Sequence, residues 1–371
     1  MLIGVDGNEA NVQSKVGISE FAYRLLLEFY KRKSESLKFE IFLKKKPNHD
    51  LPQENSFWNY KVVGPSPFWT QFGLPLSLFL HRNKPDVFFT PTHYAPRFSP
   101  IPTVVSVMDI SFIHFPEMFA TRDLHQLRNW TSYSVKKASR VITISQSSKD
   151  DIIKQYSLPK ERVEVVYLGI KEEKHFNSTN MIEFFDKHQV KKPFILFVGT
   201  LQPRKNIVGL IHAFSKVKEL HKDLQLVIIG KKGWLYEDIF DAPEKFDVKK
   251  DVVFLDFVKD DELPSFYKNA ECFVLPSLYE GFGLPILEAM KYGCPVIASN
   301  ISSLPEAGGD AALYVNPDSI DDIAEKIEKV VGDGKLQESM RKKGLLQVKK
   351  FSWKKAADEV LSVLEEVGRT P

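Results

Sequence analysis

Two carboxylates eight positions apart, Glu280 and Glu288, mark the part of this chain best placed to do chemistry; they lie in Leu275-Pro-Ser-Leu-Tyr-Glu-Gly-Phe-Gly-Leu-Pro-Ile-Leu-Glu-Ala-Met290. The apolar run Cys272–Leu275 reads as the end of a buried strand, and Pro285 suits the first turn of a helix from about Leu284 to Tyr292. Between them, Gly281 and Gly283 remove two Cβ atoms, so a ligand can approach the main chain closely. A strand that hands a glycine loop to a helix start presents backbone N–H groups to an anion. Glu280 then sits in the loop and Glu288 about one helical turn in, where both can face one ligand. On spacing alone, helix capping or solvated glutamates explain the pattern as well.

A second constellation lies upstream. Phe194-Ile-Leu-Phe-Val-Gly199-Thr200 is followed by Leu201-Gln-Pro-Arg204-Lys205-Asn206. Strand, glycine, then Arg and Lys opening a helix suits a pyrophosphate. Arg204 offers a planar fork, Lys205 a point charge, and the helix start a partial positive charge. The plain alternative is a basic, solvated turn.

The Glu-x7-Glu spacing within Glu-Gly-Phe-Gly-Leu-Pro-x-Leu-Glu-Ala-Met resembles the donor-sugar motif of retaining, family-4-type nucleotide-sugar glycosyltransferases, whose architecture is GT-B. The Arg204-Lys205 turn resembles that family's donor-diphosphate motif, and the resemblance spans nearly the whole chain. It implies that Glu280 and the loop through Gly281, Phe282, Gly283 and Leu284 hold the transferred sugar, and that Glu288 bonds the ribose. By the same resemblance the loop at Val258 cradles the base, while Gly199, Arg204 and Lys205 meet the diphosphate. Lys15-Val-Gly17-Ile-Ser19 is similar to the family's glycine loop after the first strand, although the family pattern often carries more than one glycine. Thr103 to Phe119 is similar to a strand-plus-loop in which Asp109, Pro116 and Glu117 match. Met108 stands where the family has a His facing the reacting sugar, and a thioether cannot exchange a proton usefully. Asp109 and His93 are therefore carried as the site residues of the N-terminal half, and no catalytic His is carried onto Met108.

These residues need two folded units to position them. At 371 residues the chain exceeds what one hydrophobic core usually supports. The expected fold is α/β, with two Rossmann-like domains facing across a cleft. Residues 1–175 form the acceptor domain, joined by a C-terminal helix at about 354–371 that crosses back to it, and 176–353 form the donor domain. Strands are expected near Met1–Asp6, Phe39–Leu43, Lys61–Val63, Asp86–Thr90, Thr103–Val107, Arg140–Ile144 and Arg162–Leu168. The second set is Phe194–Thr200, Leu224–Gly230, Val252–Phe257, Cys272–Leu275 and Pro295–Ser299. Gly230-Lys-Lys-Gly233 reads as a flexible basic loop, and Ser66 to His81 as an amphipathic helix that packs on the core in preference to touching a membrane.

With 43% apolar and 27% charged residues, the composition is that of an ordinary globular protein. No window reaches the ~20 apolar residues of a membrane span. Cys272 and Cys294 are the only cysteines, so neither a disulfide framework nor a zinc site is indicated. The expected location is cytoplasmic, with peripheral contact at the inner membrane face. The net charge of +3 divides unevenly: residues 1–175 carry 24 Lys and Arg against 18 Asp and Glu, the remainder 27 against 30. A basic N-terminal half suits an anionic membrane or a phosphorylated acceptor, although a solvated surface gives the same count.

The implied reaction moves a hexosyl group, with retention, from a nucleotide diphosphate sugar to a hydroxyl of a glycan or lipid-linked acceptor. The loop Ser302-Ser-Leu-Pro-Glu306 resembles that of family members using GDP-mannose, so the resemblance implies GDP-mannose first and a UDP-sugar as the second choice. No metal, no cofactor and no nucleic-acid partner are expected. The alternatives are a non-catalytic nucleotide-sugar binder and a GT-B sugar-nucleotide epimerase. A nicotinamide dehydrogenase would need Gly-x-Gly-x-x-Gly after a strand, which neither half has.

Overall fold

The computed structural model describes residues 1–64, 68–171, 181–256 and 258–370. Among them the chain forms two compact units, Met1–Gly169 with Phe351–Pro371, and Ile170–Lys350. In the first unit the strands are β1 (Leu2–Asp6), β2 (Lys38–Leu43), β3 (Trp58–Val62), β4 (Val87–Thr90), β5 (Thr103–Ser106), β6 (Arg140–Thr143) and β7 (Val163–Val165). They lie side by side in the order β3-β2-β1-β4-β5-β6-β7. The second unit holds β8 (Phe194–Val198), β9 (Gln225–Ile229), β10 (Val252–Leu255), β11 (Phe273–Leu275), β12 (Val296–Ser299) and β13 (Ala312–Val315). Their order is β10-β9-β8-β11-β12-β13.

Every neighbouring pair is parallel. That is why the central strands read as unbroken apolar runs: in a parallel sheet helices cover both faces. Phe194, Ile195, Leu196 and Phe197 are each 0% exposed. Strand order reverses between β1 and β4 and between β8 and β11. In open α/β sheets, ligands bind beyond the carboxyl ends of the strands at such a reversal.

The last helix, Trp353–Arg369, belongs to the first unit. Ser352 caps it by accepting from the Lys355 N–H at 3.1 Å. Its apolar stripe, including Val360 and Leu364, packs beside the helix Ile18–Arg32, with the Phe21 and Trp353 rings 6.3 Å apart. Each such buried aliphatic side chain contributes about 1.5–3 kcal/mol. Arg32 Nε adds a 2.6 Å bond to Asp358.

Three expectations need correction. The loop Gly230–Gly233 is not a free basic loop: Leu201 N–H donates to the Lys231 carbonyl and Gly233 N–H to the Leu201 carbonyl, each at 2.9 Å. Lys232 also lies over the Tyr236 and Phe240 rings. The strand expected at Lys61–Val63 begins three residues earlier, at Trp58, because Trp58 buries its ring among Phe39, Tyr30 and Tyr60. Strand β13 was not anticipated; Ala312–Val315 is short and follows a glycine-rich turn. Of the expected helix at Ser66–His81, Ser66 and Pro67 lie outside the described residues. The remainder forms a wide turn at Trp69–Gly73 running into the helix Leu74–Leu80. Phe257 and residues 172–180 of the charged linker also fall outside.

Candidate active site

The two strands at the reversal of the second sheet deliver the candidate residues. The exit of β8 leads through Gly199 to a 3-10 turn, Pro203–Lys205, and the exit of β11 leads through Ser277 to Glu280. Arg204 and Lys205 therefore lie at the helix start, in a turn just ahead of the helix Ile207–Leu220, with Asn206 between them in a left-handed conformation at φ 54°. A backbone bond from Leu278 N–H to the Arg204 carbonyl, 2.8 Å, knits the two loops together.

Glu280 is the hub. Its side chain accepts from Lys205 Nζ at 2.5 Å and Ser277 Oγ at 2.7 Å on Oε1, and from Arg204 at 3.1 Å on Oε2. Arg204 also donates to the Tyr279 carbonyl. The main chain of Glu280 is held as firmly. Its N–H donates to Ser302 Oγ at 3.1 Å, and its carbonyl accepts from Ser302 and Ser303 at 2.5 and 2.7 Å. Glu280 is only 8% exposed. Burial opposes its charge, but Lys205 and then Arg204 outweigh burial and bring its pKa down to about 2. The carboxylate is thus ionised at any physiological pH, and the three side chains carry two positive charges and one negative. An anion arriving here meets a net positive, largely desolvated cluster, where electrostatic attraction is stronger than in water.

Gly283 shows why the loop needs glycine. Its φ is 104°, and a Cβ there would come 2.8 Å from Leu304 Cδ2. It precedes the helix Leu284–Lys291, with Pro285 in the first turn as expected. Gly281 and Phe282 are buried in the same loop. Glu288 lies in that helix and accepts from the Tyr267 hydroxyl at 3.4 Å. Burial raises its pKa, with Lys171 pulling the other way. Lys171 Nζ is 3.6 Å from Asp260, so the loop that begins at buried Val258 lies by the same cation. Glu280 and Glu288 therefore occupy different surroundings, one clamped between cations and one against a buried phenol.

The first unit is built differently. Gly17, at φ 55°, precedes the helix Ile18–Arg32, a backbone conformation that side-chain-bearing residues rarely adopt. Asp109 follows β5 and accepts from the Ser111 N–H at 2.8 Å, just ahead of the short helix Ser111–His114. His93 follows β4; its Nδ1 is buried without a hydrogen-bond partner, and its ring lies 6.3 Å from that of Phe112. Burial lowers its pKa while the charge of Asp109 opposes the shift, so the two residues are electrostatic neighbours. Met108 is partly buried and lends its carbonyl to Thr143 Oγ1 at 3.4 Å. Sequence reasoning missed Asp6, which ends β1. It is 7% exposed and accepts from the backbone N–H and side chain of Asn8 at 3.0 and 2.6 Å, and burial raises its pKa to about 6. The available signal was a carboxylate closing an apolar strand. Ser277 was passed over too, although a hydroxyl buried at a strand end needs a partner.

Residues 180–347 match the model of glycosyl transferases group 1, and residues 42–174 match that of glycosyltransferase family 4. The O-antigen chain mannosyltransferase B of Escherichia coli is 32% identical over 286 residues, covering 76% of this chain and 75% of that protein. The serotype-specific mannosyltransferase WbdA of the same species is 33% identical over 60% of this chain, which spans only 28% of its length. Among solved structures, HepE from Anabaena in complex with UDP-glucose superposes with a TM-score of 0.74 at 17% identity, over 98% of this chain and 99% of that one. The sucrose-phosphate synthase of Thermosynechococcus elongatus gives 0.75 at 16% identity, over 98% of each chain. At such identities the likeness speaks for the fold.

Proposed function

We propose that this chain, which belongs to the family-4-type GT-B glycosyltransferases, transfers a mannosyl group from GDP-mannose to a hydroxyl of a glycan or lipid-linked acceptor, with retention of configuration. The observation that carries the donor assignment is the Glu280–Lys205–Arg204 cluster at the strand-order reversal of the second sheet. Two cations fixed on a buried carboxylate are pre-organised for a diphosphate leaving group. Their attraction grows as negative charge develops on the departing phosphate, and a rigid, desolvated site needs no reorganisation to exploit it. Glu280 has a second part in this reading. It fixes the cations, and its edge and the loop through Gly281–Leu284 meet the sugar hydroxyls. Glu288, with its raised pKa, bonds the ribose beside the base loop at Val258. The departing phosphate takes the acceptor proton, so a Met at position 108 is tolerable. Asp109 and His93 act on the acceptor side.

The mannosyltransferase relatives favour mannose, and the UDP-glucose complex of HepE keeps a UDP-sugar as the second choice. The acceptor side belongs to the first unit, whose basic balance suits peripheral contact with an anionic membrane. No helix among the described residues is long and apolar enough to cross one. The test is product formation from GDP-mannose and UDP-glucose with a mannoside acceptor, followed by NMR of the new anomeric linkage. An α product from the α-linked donor supports the reading. A β product removes retention, and binding without transfer moves the chain to the sugar-nucleotide binders.

A further inference from the structure

The wide turn and helix from Phe68 to Leu80 present an apolar face that the fold leaves uncovered. A helix apolar on all sides is ordinarily buried. This one buries Trp69, Leu74 and Leu78 against Phe42 and Phe88, yet Phe68, Phe72, Leu76, Phe79 and Leu80 are 67%, 69%, 60%, 51% and 73% exposed. Their spacing of about four puts them along one side, and the Phe68 and Phe72 rings pack edge to face at 6.4 Å. Phe98, 73% exposed, extends the patch: the neighbouring Arg97 N–H donates to the Thr70 carbonyl at 3.1 Å. At ~200 Å² per ring the four exposed phenylalanines alone show roughly 500 Å² of apolar surface, in the size range of contiguous patches that are often functional.

The charge around the stripe selects its occupant. From Phe68 to Pro85 the sequence holds no acid, and the helix is followed directly by His81, Arg82 and Lys84. Arg82 and Lys84 are exposed. Lys44 lies 5.5 Å over the Trp69 ring and Lys61 5.8 Å over the Phe42 ring, both on the core that carries the helix. Glu40, the acid that meets this element, is bound to His81 at 2.5 Å. An apolar face rimmed by cations fits the boundary between headgroups and acyl chains of an anionic bilayer: rings enter the apolar layer while Lys and Arg remain at the phosphates. We propose that Phe68, Phe72, Leu76, Phe79 and Leu80, with Arg82 and Lys84, are the surface by which this protein docks on an anionic lipid membrane. The proposal gives the peripheral contact of the preceding reading its residues, but it does not depend on transferase activity.

Vesicle co-sedimentation of the full chain tests it, using phosphatidylcholine alone and equal parts phosphatidylcholine and phosphatidylglycerol. Wild type is expected to pellet with the mixed vesicles and to be released by salt. Phe72→Ser/Leu76→Ser/Phe79→Ser should weaken binding by more than about tenfold, and Arg82→Ala/Lys84→Ala by on the order of tenfold. All five positions are at least half exposed or on the open rim, and an unchanged melting temperature verifies folding. Wild type that stays in the supernatant at low salt overturns the proposal, as does a triple variant that binds normally. So does a concentration-dependent dimer, seen by sedimentation velocity and abolished by the triple variant, in a protein that ignores vesicles. Sugar-nucleotide binding by the same preparations reports on the transferase reading separately.

Discussion

The carboxyl ends of the two sheets use buried charge in opposite ways. In the second unit Glu280 sits against Lys205 and Arg204, and its pKa falls to about 2. In the first unit Asp6 ends β1 bonded to the Asn8 groups, burial outweighs them, and its pKa rises to about 6. Just past the end of the neighbouring strand β4, His93 keeps a buried Nδ1 unpaired. Both ends lie where strand order reverses, so topology alone does not separate them. What differs is whether cations are bonded to the buried carboxylate: Lys205 and Arg204 bond Glu280, whereas Lys44 acts on Asp6 only as a weaker nearby charge. The second unit arrives with its electrostatics assembled, as a rigid anion site requires, whereas the first leaves polar groups under-satisfied, as a surface awaiting a ligand or a proton would.

The largest expected effect comes from breaking the assembled end. Lys205→Ala and Arg204→Ala should each lower kcat/KM by about 2–4 kcal/mol of transition-state stabilisation. Steady-state kinetics with the donor varied measures this, and unchanged turnover in both would remove the cations from the site. Next come the two carboxylates. Glu280→Ala should damage transfer more than it weakens binding of bare GDP or UDP, whereas Glu288→Ala should weaken the bare nucleotide itself. Calorimetric titration with nucleotide and nucleotide sugar separates the two, and equal losses for both variants would erase the distinction.

Stability against pH sharpens the contrast between the ends. Glu280 has a folded pKa below its unfolded value of ~4.3, so its contribution is fully present above that value and drains away as pH falls toward 2. Asp6 runs the other way. Its folded pKa lies above its unfolded ~3.9, so a penalty absent below pH ~4 grows until pH ~6 and then stays. Asp6→Asn should therefore raise stability at pH 7, by on the order of 3 kcal/mol, and leave it nearly unchanged at pH 4. Denaturant melts at both pH values decide this. A smaller effect is expected at Met108: Met108→Ala should alter acceptor KM more than the saturated rate, while Asp109→Ala should depress the rate. A wild type silent beside an active Met108→His variant would show that the thioether had disabled the site.

The second unit was the more legible because its chemistry is local in sequence. Strand, glycines, Pro285 and both glutamates fall in one sixteen-residue stretch, and the Arg204-Lys205 turn is equally compact. Even so, the ion pairs of Glu280 with residues 75 and 76 positions away appear only once β8 and β11 lie side by side. Spacing suggested that the cations waited for a phosphate; the fold also ties them to the Glu280 carboxylate. In the first unit, His93, Asp109 and Asp6 come from three different strand exits, so no single motif announces them. The helix after Phe68 was read as core-packing, and half of it is. Membrane contact was the lesser alternative, and which residues make its other face was hidden from sequence because apolar residues on both sides look like burial.

The central claim is that the Glu280–Lys205–Arg204 cluster is the diphosphate grip of a working transferase. Purified wild type and Lys205→Ala should be incubated with GDP-mannose and a mannoside acceptor, with glycoside product and released GDP followed together. The account predicts equimolar glycoside and GDP from wild type, and at least about thirtyfold less from the variant at equal folding. Equal product from both, or GDP release without glycoside in wild type, would contradict it.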